Sequence, residues 1–324
     1  MDAVAINFSI SPRVLLALLE YQTGALSQPI PPMDDYPLGY VDSDYHGLYL
    51  QLVRAANFLN AGYYGWRTGG LTQIVHLDYT TERPDPWQTA ATVAFQYYFS
   101  ISSSLADYAR ATGSDGVKKV YNDLFGDPFA ANIDLPHILA NLRQPALALP
   151  FPPGETWSFT GGPHNGWGAA ELRPWAAPDF APATLGCAVS DHPVVAMADG
   201  IVARSEGGVV IEDLDGDGNE RTGWIIRYLH IAPAGQALLG QSLKKGDVLG
   251  YPSCEGGDAT GTHVHVARKY NGEWMPVDGA VPFTLEGWVA HAGATYYQGT
   301  LVHDNQTVTA SFSPISARLI QAGQ

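Results

Sequence analysis

A proline-rich segment near the middle of the chain separates two stretches that differ in their hydrophobic pattern. It contains Pro145 and the run Pro150-Phe151-Pro152-Pro153-Gly154. Proline cannot continue a helix or a central strand, so regular structure is expected to stop here. A length of 324 residues also suits two domains. We therefore expect one domain over 1–145 and a second over 146–324.

The N-terminal stretch shows the spacing of amphipathic helices. Ser11 and Pro12 precede the apolar residues of 14–19, which is the pattern of an N-cap, a proline in the first turn and a buried helix. Residues 89–111 and 115–125 predict further amphipathic helices. The first domain is therefore expected to be mainly helical.

Beyond the prolines, apolar residues alternate with polar ones, as they do in strands. Residues 194–198 and 201–204 flank Asp199-Gly200, a dipeptide that favours a hairpin turn. Residues 224–230 and 263–268 are further strand candidates. The predicted fold class is α+β, with a mainly helical N-terminal domain followed by an antiparallel β-sheet domain.

Composition excludes several classes of function. The chain has 17 Lys+Arg against 32 Asp+Glu, a net charge of -15, and such a field repels nucleic acid. No apolar run reaches the roughly 18–20 residues of a membrane span. The first residues, Met1-Asp2-Ala3-Val4, lack the basic segment of a signal peptide. If the protein is exported, we expect its signal to be absent from this sequence.

Histidines mark the candidate site in the second domain. His263 and His265 are two residues apart in a predicted strand, so their side chains point to the same face, roughly 6–7 Å apart. Two imidazoles on one face suit two zinc ligands, or one ligand and one catalytic base; two exposed surface histidines are the alternative.

Three more polar residues stand in distinctive settings. His164 lies among glycines, where the backbone can approach an ion closely, and Asp179 is flanked by apolar residues and prolines. A half-buried carboxylate needs a cation or hydrogen-bond donors to stay ionised. His230 closes an apolar strand two residues after Tyr228, and the alternation of strands predicts that both lie on one face.

Together these motifs resemble the lysostaphin-type zinc endopeptidases, which cut peptide cross-bridges in bacterial cell walls. The resemblance covers about residues 150–290 and includes the ordered motifs Gly-x-His, Asp-Phe, Tyr-x-His and Gly-Thr-His-x-His, with a further match at 245–250. The gap between His164 and Asp179 is longer than in the commonest form of the family. That longer gap is similar to the beta-lytic or staphylolytic branch.

The resemblance implies a role for each residue. His164, Asp179 and His265 would bind one Zn²⁺, with a water as fourth ligand. His230 and His263 would flank that water as catalytic groups. The family also implies a secreted or cell-envelope protein whose substrate is peptidoglycan or a glycine-rich peptide, and we expect it to act as a monomer.

The two cysteines, Cys187 and Cys254, admit two interpretations. An even pair suits one disulfide, whereas in a reducing compartment two separate thiols are expected. The staphylolytic branch is similar in having a cysteine pair around its site. With the exported location that the resemblance implies, we expect the disulfide.

The acidic stretch 213–220 imitates a calcium loop. Asp213, Asp215 and Asp217 occupy the first, third and fifth positions, with a glycine at the sixth. Position twelve is Trp224, where a calcium loop of this kind needs glutamate, and the stretch joins two predicted strands. A Ca²⁺ site and a solvated hairpin tip are the two interpretations.

One helix of the N-terminal half is similar to lytic transglycosylases, a lysozyme-like family in which a glutamate ends a buried helix beside the glycan. Glu20 holds that position, and as a general acid it would need a raised pKa. The alternative is a wall-binding or inhibitory prodomain in which Glu20 is structural. The first case would make the protein a bifunctional wall hydrolase.

A non-catalytic wall-binding or amidase-activating module on the same fold is the rival interpretation for the second domain. Such relatives typically lack one or more zinc ligands, whereas His164, Asp179 and His265 are all present here. The sequence therefore favours the enzyme.

Overall fold

The structure is a computed structural model, and it describes residues 1–29, 34–128, 130, 137–312 and 318–323. The chain divides into two compact units. The first, unit 1, comprises Met1–Leu135 with Trp167–Arg173; the second, unit 2, comprises Pro136–Gly166 with Pro174–Gln324. Among the described residues, no helix is long and apolar enough to cross a membrane.

Unit 1 is mainly helical, as the sequence predicted. Its helices are α1 (Asp2–Phe8), α2 (Pro12–Thr23), α3 (Leu48–Arg67), α4 (Ala90–Ser100), α5 (Leu105–Thr112) and α6 (Val117–Phe125), and its short antiparallel strands are β1 (Ile74–Val75) and β2 (Thr81–Glu82). Leu15 and Leu18 of α2 pack with Leu52 and Leu59 of α3 in its core. Pro12 stands at the start of α2, where a backbone N–H would have no partner within the helix, so proline is tolerated there.

The single helix predicted over 89–111 is two helices. Residues 101–104 separate α4 from α5, and Ser104 begins the second helix by accepting a hydrogen bond from the Asp107 N–H at 3.2 Å. Serine favours this N-cap geometry over a helix interior, which is why the apolar period did not reveal the break.

Unit 2 is built on antiparallel strands. They are β3 (Thr156–Asn165), β4 (Trp175–Ala181), β5 (Val194–Val195), β6 (Gly200–Glu206), β7 (Val209–Asp213), β8 (Trp224–Leu229), β9 (Ser242–Leu243), β10 (Val248–Gly250), β11 (Val264–Tyr270), β12 (Glu273–Trp274), β13 (Thr284–Leu285), β14 (Trp288–Ala292), β15 (Gly299–His303), β16 (Gln306–Thr309) and β17 (Leu319–Gln321). The main sheet has the order β17-β3-β4-β11-β8-β7-β6-β9, and β13 to β16 form a smaller sheet. The α+β class is therefore confirmed.

The hairpin predicted around Asp199-Gly200 is wrong. Strand β5 pairs with β10, whereas β6 pairs with β7 and β9. Asp199 instead accepts hydrogen bonds from Nζ of Lys244 and from the Lys245 N–H at 2.8 and 2.9 Å. The dipeptide does turn the chain, but the partner strand comes from a more distant segment, which local turn chemistry cannot indicate.

Alternation along two strands, β4 and β11, separates the core from the opposite face of the sheet. Phe180 of β4 and Val264 and Val266 of β11 are fully buried in the core of unit 2. Because side chains alternate, their neighbours Asp179 and His265 point to the other face. The core thus fixes the register that sets these two polar groups side by side.

A carboxyl group lies deep in the same core. Glu212 of β7 accepts a hydrogen bond from the Tyr228 hydroxyl at 2.5 Å, and that hydroxyl accepts one from the Met197 N–H at 2.8 Å. Burial raises the pKa of Glu212 from 4.5 to about 7. Between those two values the folded protein holds a proton that the unfolded chain has released, so the free energy of unfolding falls as the pH rises.

We predict that Glu212→Gln removes this fall in the free energy of unfolding with rising pH. As the pH rises from 5 to 8, the variant should gain up to about 3 kcal/mol of unfolding free energy relative to the natural protein, because a tenfold difference in proton affinity between the folded and unfolded states is worth about 1.4 kcal/mol. Urea unfolding of both proteins at several pH values measures the difference. A difference that does not change with pH would contradict the raised pKa.

Candidate metal centre

Three neighbouring strands bring His164, Asp179 and His265 together. The residues lie in β3, β4 and β11 respectively. Asp179 stands directly opposite His265 in the sheet register, and His164 stands opposite Ala177. Strand pairing alone therefore gathers the predicted ligands at one point of unit 2.

Each of the three side chains offers one ligand atom, and these atoms face one another. Nε2 of His164 is 3.0 Å from Nδ1 of His265 and 3.6 Å from Oδ1 of Asp179. Nδ1 of His265 is 3.3 Å from the same carboxylate oxygen. A tetrahedral zinc ion with bonds of about 2.0–2.1 Å separates its ligand atoms by about 3.3 Å. The spacing matches that geometry.

Backbone carbonyls fix the proton on the outer nitrogen of each histidine. Nδ1 of His164 lies 3.0 Å from the oxygen of Gly162, and Nε2 of His265 lies 3.1 Å from the oxygen of Gly166. A carbonyl only accepts, so these nitrogens donate. In the neutral rings the inward Nε2 of His164 and Nδ1 of His265 then carry lone pairs and no proton.

Asp179 completes the set with an oxygen that receives no hydrogen bond. Its Oδ1 is buried without a donor, and the residue is 5% exposed. A buried carboxylate oxygen beside two nitrogen lone pairs is unfavourable unless a cation lies between them. These residues therefore fit a divalent metal that takes nitrogen and oxygen ligands, which is the preference of zinc.

The electrostatics keep the imidazoles neutral. Burial lowers the pKa of His164 to about 4, and burial together with the Arg227 charge lowers that of His265 to about 3. Burial, together with the neighbouring His263 and His265, lowers the pKa of His230 to about 3. Neutral rings are the form that binds metal or accepts a proton.

The two histidines expected to be catalytic lie beside this cluster. Nδ1 of His263 donates to the Gly261 carbonyl at 2.7 Å, and Nδ1 of His230 donates to the Glu255 carbonyl at 2.8 Å. The ring centres of His230 and His263 are 4.3 Å apart. Nε2 of His263 is 3.8 Å from Oδ1 of Asp179. Each ring therefore keeps an Nε2 lone pair available for a proton.

The expectation that Tyr228 and His230 share a face is wrong. Tyr228 points into the core towards Glu212, while the His230 ring lies on the metal side, 6.4 Å from that of His265. His230 has φ of +68°, in the left-handed region. That conformation breaks the strand alternation and turns the ring to the opposite face.

Glycines give the ligands room. A Cβ built on Gly161 would lie 2.2 Å from Oδ2 of Asp179, and one built on Gly166 would lie 2.7 Å from the Trp274 ring. Gly166 is also the residue whose carbonyl orients His265. The glycine-rich run around His164 is therefore required by close packing at the site.

We predict that Gly161→Ala lowers zinc affinity without unfolding the protein. The new methyl group must displace the Asp179 carboxylate, and disturbing the groups around ligands typically costs about 10–100-fold in affinity. Competition with a chromophoric chelator measures the dissociation constant. Gly70→Ala is the control, because Gly70 does not have a positive φ and the nearest atom to a Cβ there is the Thr68 hydroxyl oxygen at 3.7 Å. Equal zinc affinity in both variants would exclude this role for Gly161.

Tyr297 belongs to the surroundings of the site, and the sequence did not indicate it. Its ring centre is 4.2 Å from that of His164, and its carbonyl accepts a hydrogen bond from the Gly162 N–H at 2.9 Å. No motif or period in the sequence marks this residue, because the contact depends on the smaller sheet of unit 2.

The predicted disulfide is confirmed: Cys187 and Cys254 are bonded. They join the loop after β4 to the loop before β11. The bond therefore lies in the chain segment that leads directly into His263.

The calcium interpretation gains no support from the structure. Asp213, Asp215 and Asp217 do approach one another, but the loop is organised by its own hydrogen bonds. Asp213 accepts from the N–H groups of Asp215 and Gly218 at 3.1 and 2.7 Å, and Asp217 accepts from the Thr222 hydroxyl at 2.6 Å. The loop joins β7 to β8, as a hairpin tip does.

The surroundings of Glu20 do not favour a general acid. The carboxylate accepts a hydrogen bond from the Leu26 N–H at 2.6 Å. Partial burial raises its pKa, but hydrogen bonds from Ser27 and Leu26 outweigh that effect, and the pKa lies below its ordinary value of 4.5. Glu20 closes the end of α2 locally.

Comparison with known proteins finds a family match for the N-terminal half and curated relatives that cover most of the chain. Residues 1–138 match a family described as the LasA N-terminal domain. The similarity of the N-terminal half to lytic transglycosylases is therefore not supported. The resemblance of the C-terminal half to lysostaphin-type peptidases is confirmed by the relatives named next.

Those relatives are two forms of Protease LasA from Pseudomonas aeruginosa. The chain is 25% identical to that of strain PAO1 over 289 residues and 26% identical to that of strain UCBPP-PA14 over 295 residues. Each match covers 84% of this chain and 66% of the relative, so the chain spans about two thirds of the relatives' length.

Two solved structures of similar proteins are the deep-sea M23 metalloprotease pseudoalterin and the catalytic domain of lysostaphin from Staphylococcus simulans. The first is 20% identical with a TM-score of 0.43, covering 52% of this chain and 96% of its own. The second is 19% identical with a TM-score of 0.27, covering 38% of this chain and 88% of its own.

Proposed function

We propose that this protein is a zinc-dependent endopeptidase that hydrolyses peptide bonds in peptidoglycan cross-links or glycine-rich segments. One observation carries the proposal. The buried Oδ1 of Asp179 has no hydrogen-bond donor and faces the unprotonated nitrogens of His164 and His265 at 3.6 and 3.3 Å. A cation between them makes that arrangement favourable.

His164, Asp179 and His265 would hold the zinc ion through two nitrogens and one oxygen. Three protein ligands leave a fourth position for water, as in catalytic zinc sites. Bound zinc supplies a Lewis acid that lowers the pKa of that water to about 7. The carbonyls of Gly162 and Gly166 keep the two ligand rings in the required tautomer and orientation.

His263 and His230 would move the proton. Nε2 of His263 has a lone pair on the side of Asp179, so it can accept the proton of the attacking water. Nε2 of His230 is free in the same way. A ring that has taken the proton can stabilise negative charge on the scissile carbonyl oxygen and return the proton to the leaving amine.

We propose a secreted or cell-envelope location and a monomeric state. A disulfide beside the site suits an oxidising compartment. The net charge of -15 opposes binding to nucleic acid. The relatives named protease support a peptidase.

The rival function, a non-catalytic wall-binding or amidase-activating module, requires an incomplete site. Here all three metal-binding side chains and both flanking histidines are present and close together. That completeness favours the enzyme.

Purified peptidoglycan and a pentaglycine peptide are the test substrates. The full chain, purified without added metal, is expected to release new amino termini from at least one of them, to lose this activity to a chelator and to regain it with zinc. Mass spectrometry of the products gives the bond cleaved. Binding to peptidoglycan with no new amino termini at any zinc concentration would favour the rival.

A further inference from the structure

His230 sits in a backbone conformation that needs support. Its φ of +68° is uncommon and unfavourable for a residue other than glycine. The residue is 3% exposed and follows the last residue of β8. Such a conformation persists only where the surrounding structure enforces it.

Three consecutive residues, Ser253-Cys254-Glu255, enclose His230; we call them the clasp. The His230 carbonyl accepts hydrogen bonds from both the N–H and the hydroxyl of Ser253, at 2.7 and 3.0 Å. The same hydroxyl accepts a hydrogen bond from the Glu255 N–H at 3.1 Å. The Glu255 carbonyl then accepts from Nδ1 of His230 at 2.8 Å. The clasp therefore holds both the backbone and the ring of His230 by hydrogen bonds.

The clasp also contacts His263. The Ser253 carbonyl accepts from the His263 N–H at 3.5 Å, and the two residues form an isolated bridge. Ser253 is 2% exposed, so these hydrogen bonds are shielded from water. One buried serine therefore lies between both histidines that we place beside the metal.

The disulfide anchors the clasp at its middle residue. Cys254 is bonded to Cys187, whose loop also holds the residue before His263: Thr262 donates from its N–H to the Gly186 carbonyl at 2.7 Å and from its hydroxyl to the Ala188 carbonyl. The two segments that orient His230 and His263 are thus fastened to one loop.

The metal-binding histidines are oriented from a different element. His164 and His265 donate to the carbonyls of Gly162 and Gly166, which lie in or directly after β3. Neither carbonyl belongs to the clasp or to the disulfide loop. Loosening the clasp should therefore disturb His230 and His263 while leaving the three ligands in place.

We infer that Ser253 and the Cys187–Cys254 disulfide are positioning residues for His230 and His263 and have no part in holding the metal. The inference rests on the proposed function, in which these two rings transfer the proton. The Ser253 hydroxyl ties the His230 backbone to the peptide that fixes its ring, and the disulfide keeps that peptide in place.

The test compares Ser253→Ala with Ser100→Ala in the full chain. Ser100 is the matched control, being a buried serine of α4 whose hydroxyl donates a hydrogen bond to the Tyr97 carbonyl at 2.9 Å. We expect Ser253→Ala to lower kcat by about 10–100-fold, the usual effect of groups that orient active residues. KM and zinc stoichiometry should not change. Ser100→Ala should stay within about twofold of the natural protein in kcat.

Nitrogen-15 NMR of the imidazoles supplies a readout that does not depend on turnover. In the natural protein His230 should show a protonated Nδ1 and an unprotonated Nε2, and Ser253→Ala should convert it to a mixture of tautomers. The double variant Cys187→Ser, Cys254→Ser should do the same for His230 and His263 and leave the signals of His164 and His265 unchanged.

Unchanged kcat and tautomers in Ser253→Ala would overturn the inference, and so would a loss of zinc in parallel with kcat. If the natural protein shows no zinc-dependent turnover, the proposed function fails, and the NMR spectra alone then decide whether the clasp orients the rings.

Discussion

Replacing Asp179 by alanine should abolish zinc binding at stoichiometric level and reduce peptide hydrolysis to background. Asp179 supplies the one oxygen of the cluster, and the two remaining nitrogens, Nε2 of His164 and Nδ1 of His265, cannot hold the metal in a three-ligand site. His164→Ala and His265→Ala are expected to do the same. Plasma emission spectroscopy on protein purified without added metal, together with the hydrolysis assay, measures both effects.

The control is His291→Ala. His291 is exposed and pairs with Asp278 at 3.0 Å, so its removal should leave zinc content and turnover as they are. Full zinc and full turnover in Asp179→Ala, His164→Ala or His265→Ala would show that the altered residue is not a ligand.

We expect the buried Asp179 carboxylate to lower the free energy of unfolding of the metal-free protein, and bound metal to remove this destabilisation. In metal-free protein, Asp179→Asn replaces the unpaired carboxylate by a neutral amide that can donate to a histidine nitrogen. We therefore expect the metal-free variant to be more stable by about 1–3 kcal/mol, the usual penalty of one buried unsatisfied polar group. With excess zinc the order should reverse, because only the natural protein gains binding energy.

Removing either flanking histidine should separate catalysis from metal binding. We expect His263→Ala and His230→Ala to lower kcat by about 10²–10⁴, the range for positioned acid–base groups, with zinc still bound. The reason is geometric: each ring donates its Nδ1–H to a backbone carbonyl, so its Nε2 can accept the proton. Zinc content and kcat/KM are measured on the same preparations.

Two outcomes would change the assignment. Loss of zinc in His263→Ala would mean that the roles of His263 and His265 have been exchanged. Near-normal turnover in His230→Ala would remove that residue from the mechanism and leave it a structural part of the clasp.

The gathering of His164, Asp179 and His265 was predicted from the resemblance to the lysostaphin-type peptidases, and for Asp179 and His265 their apolar neighbours explain it. Phe180, Val264 and Val266 fix the register, and the polar neighbours follow from alternation. The roles of these residues and the division into domains 1–145 and 146–324 remain proposals.

What the sequence did not predict depends on backbone conformation or on distant pairing. The face of His230 follows from a positive φ, which alternation cannot foresee. Segment Trp167–Arg173 belongs to unit 1 although it lies between β3 and β4, because the Ala169 N–H donates to Oδ1 of Asn57 and Trp167 packs against Phe8. No local pattern marks such contacts.

Anomalous diffraction from crystals of the zinc-loaded protein tests the central claim most directly. We predict one strong zinc peak in unit 2, within about 2.0–2.2 Å of Nε2 of His164, Oδ1 of Asp179 and Nδ1 of His265. A peak bound by other atoms, or full zinc loading with no peak at these three, would contradict the assignment.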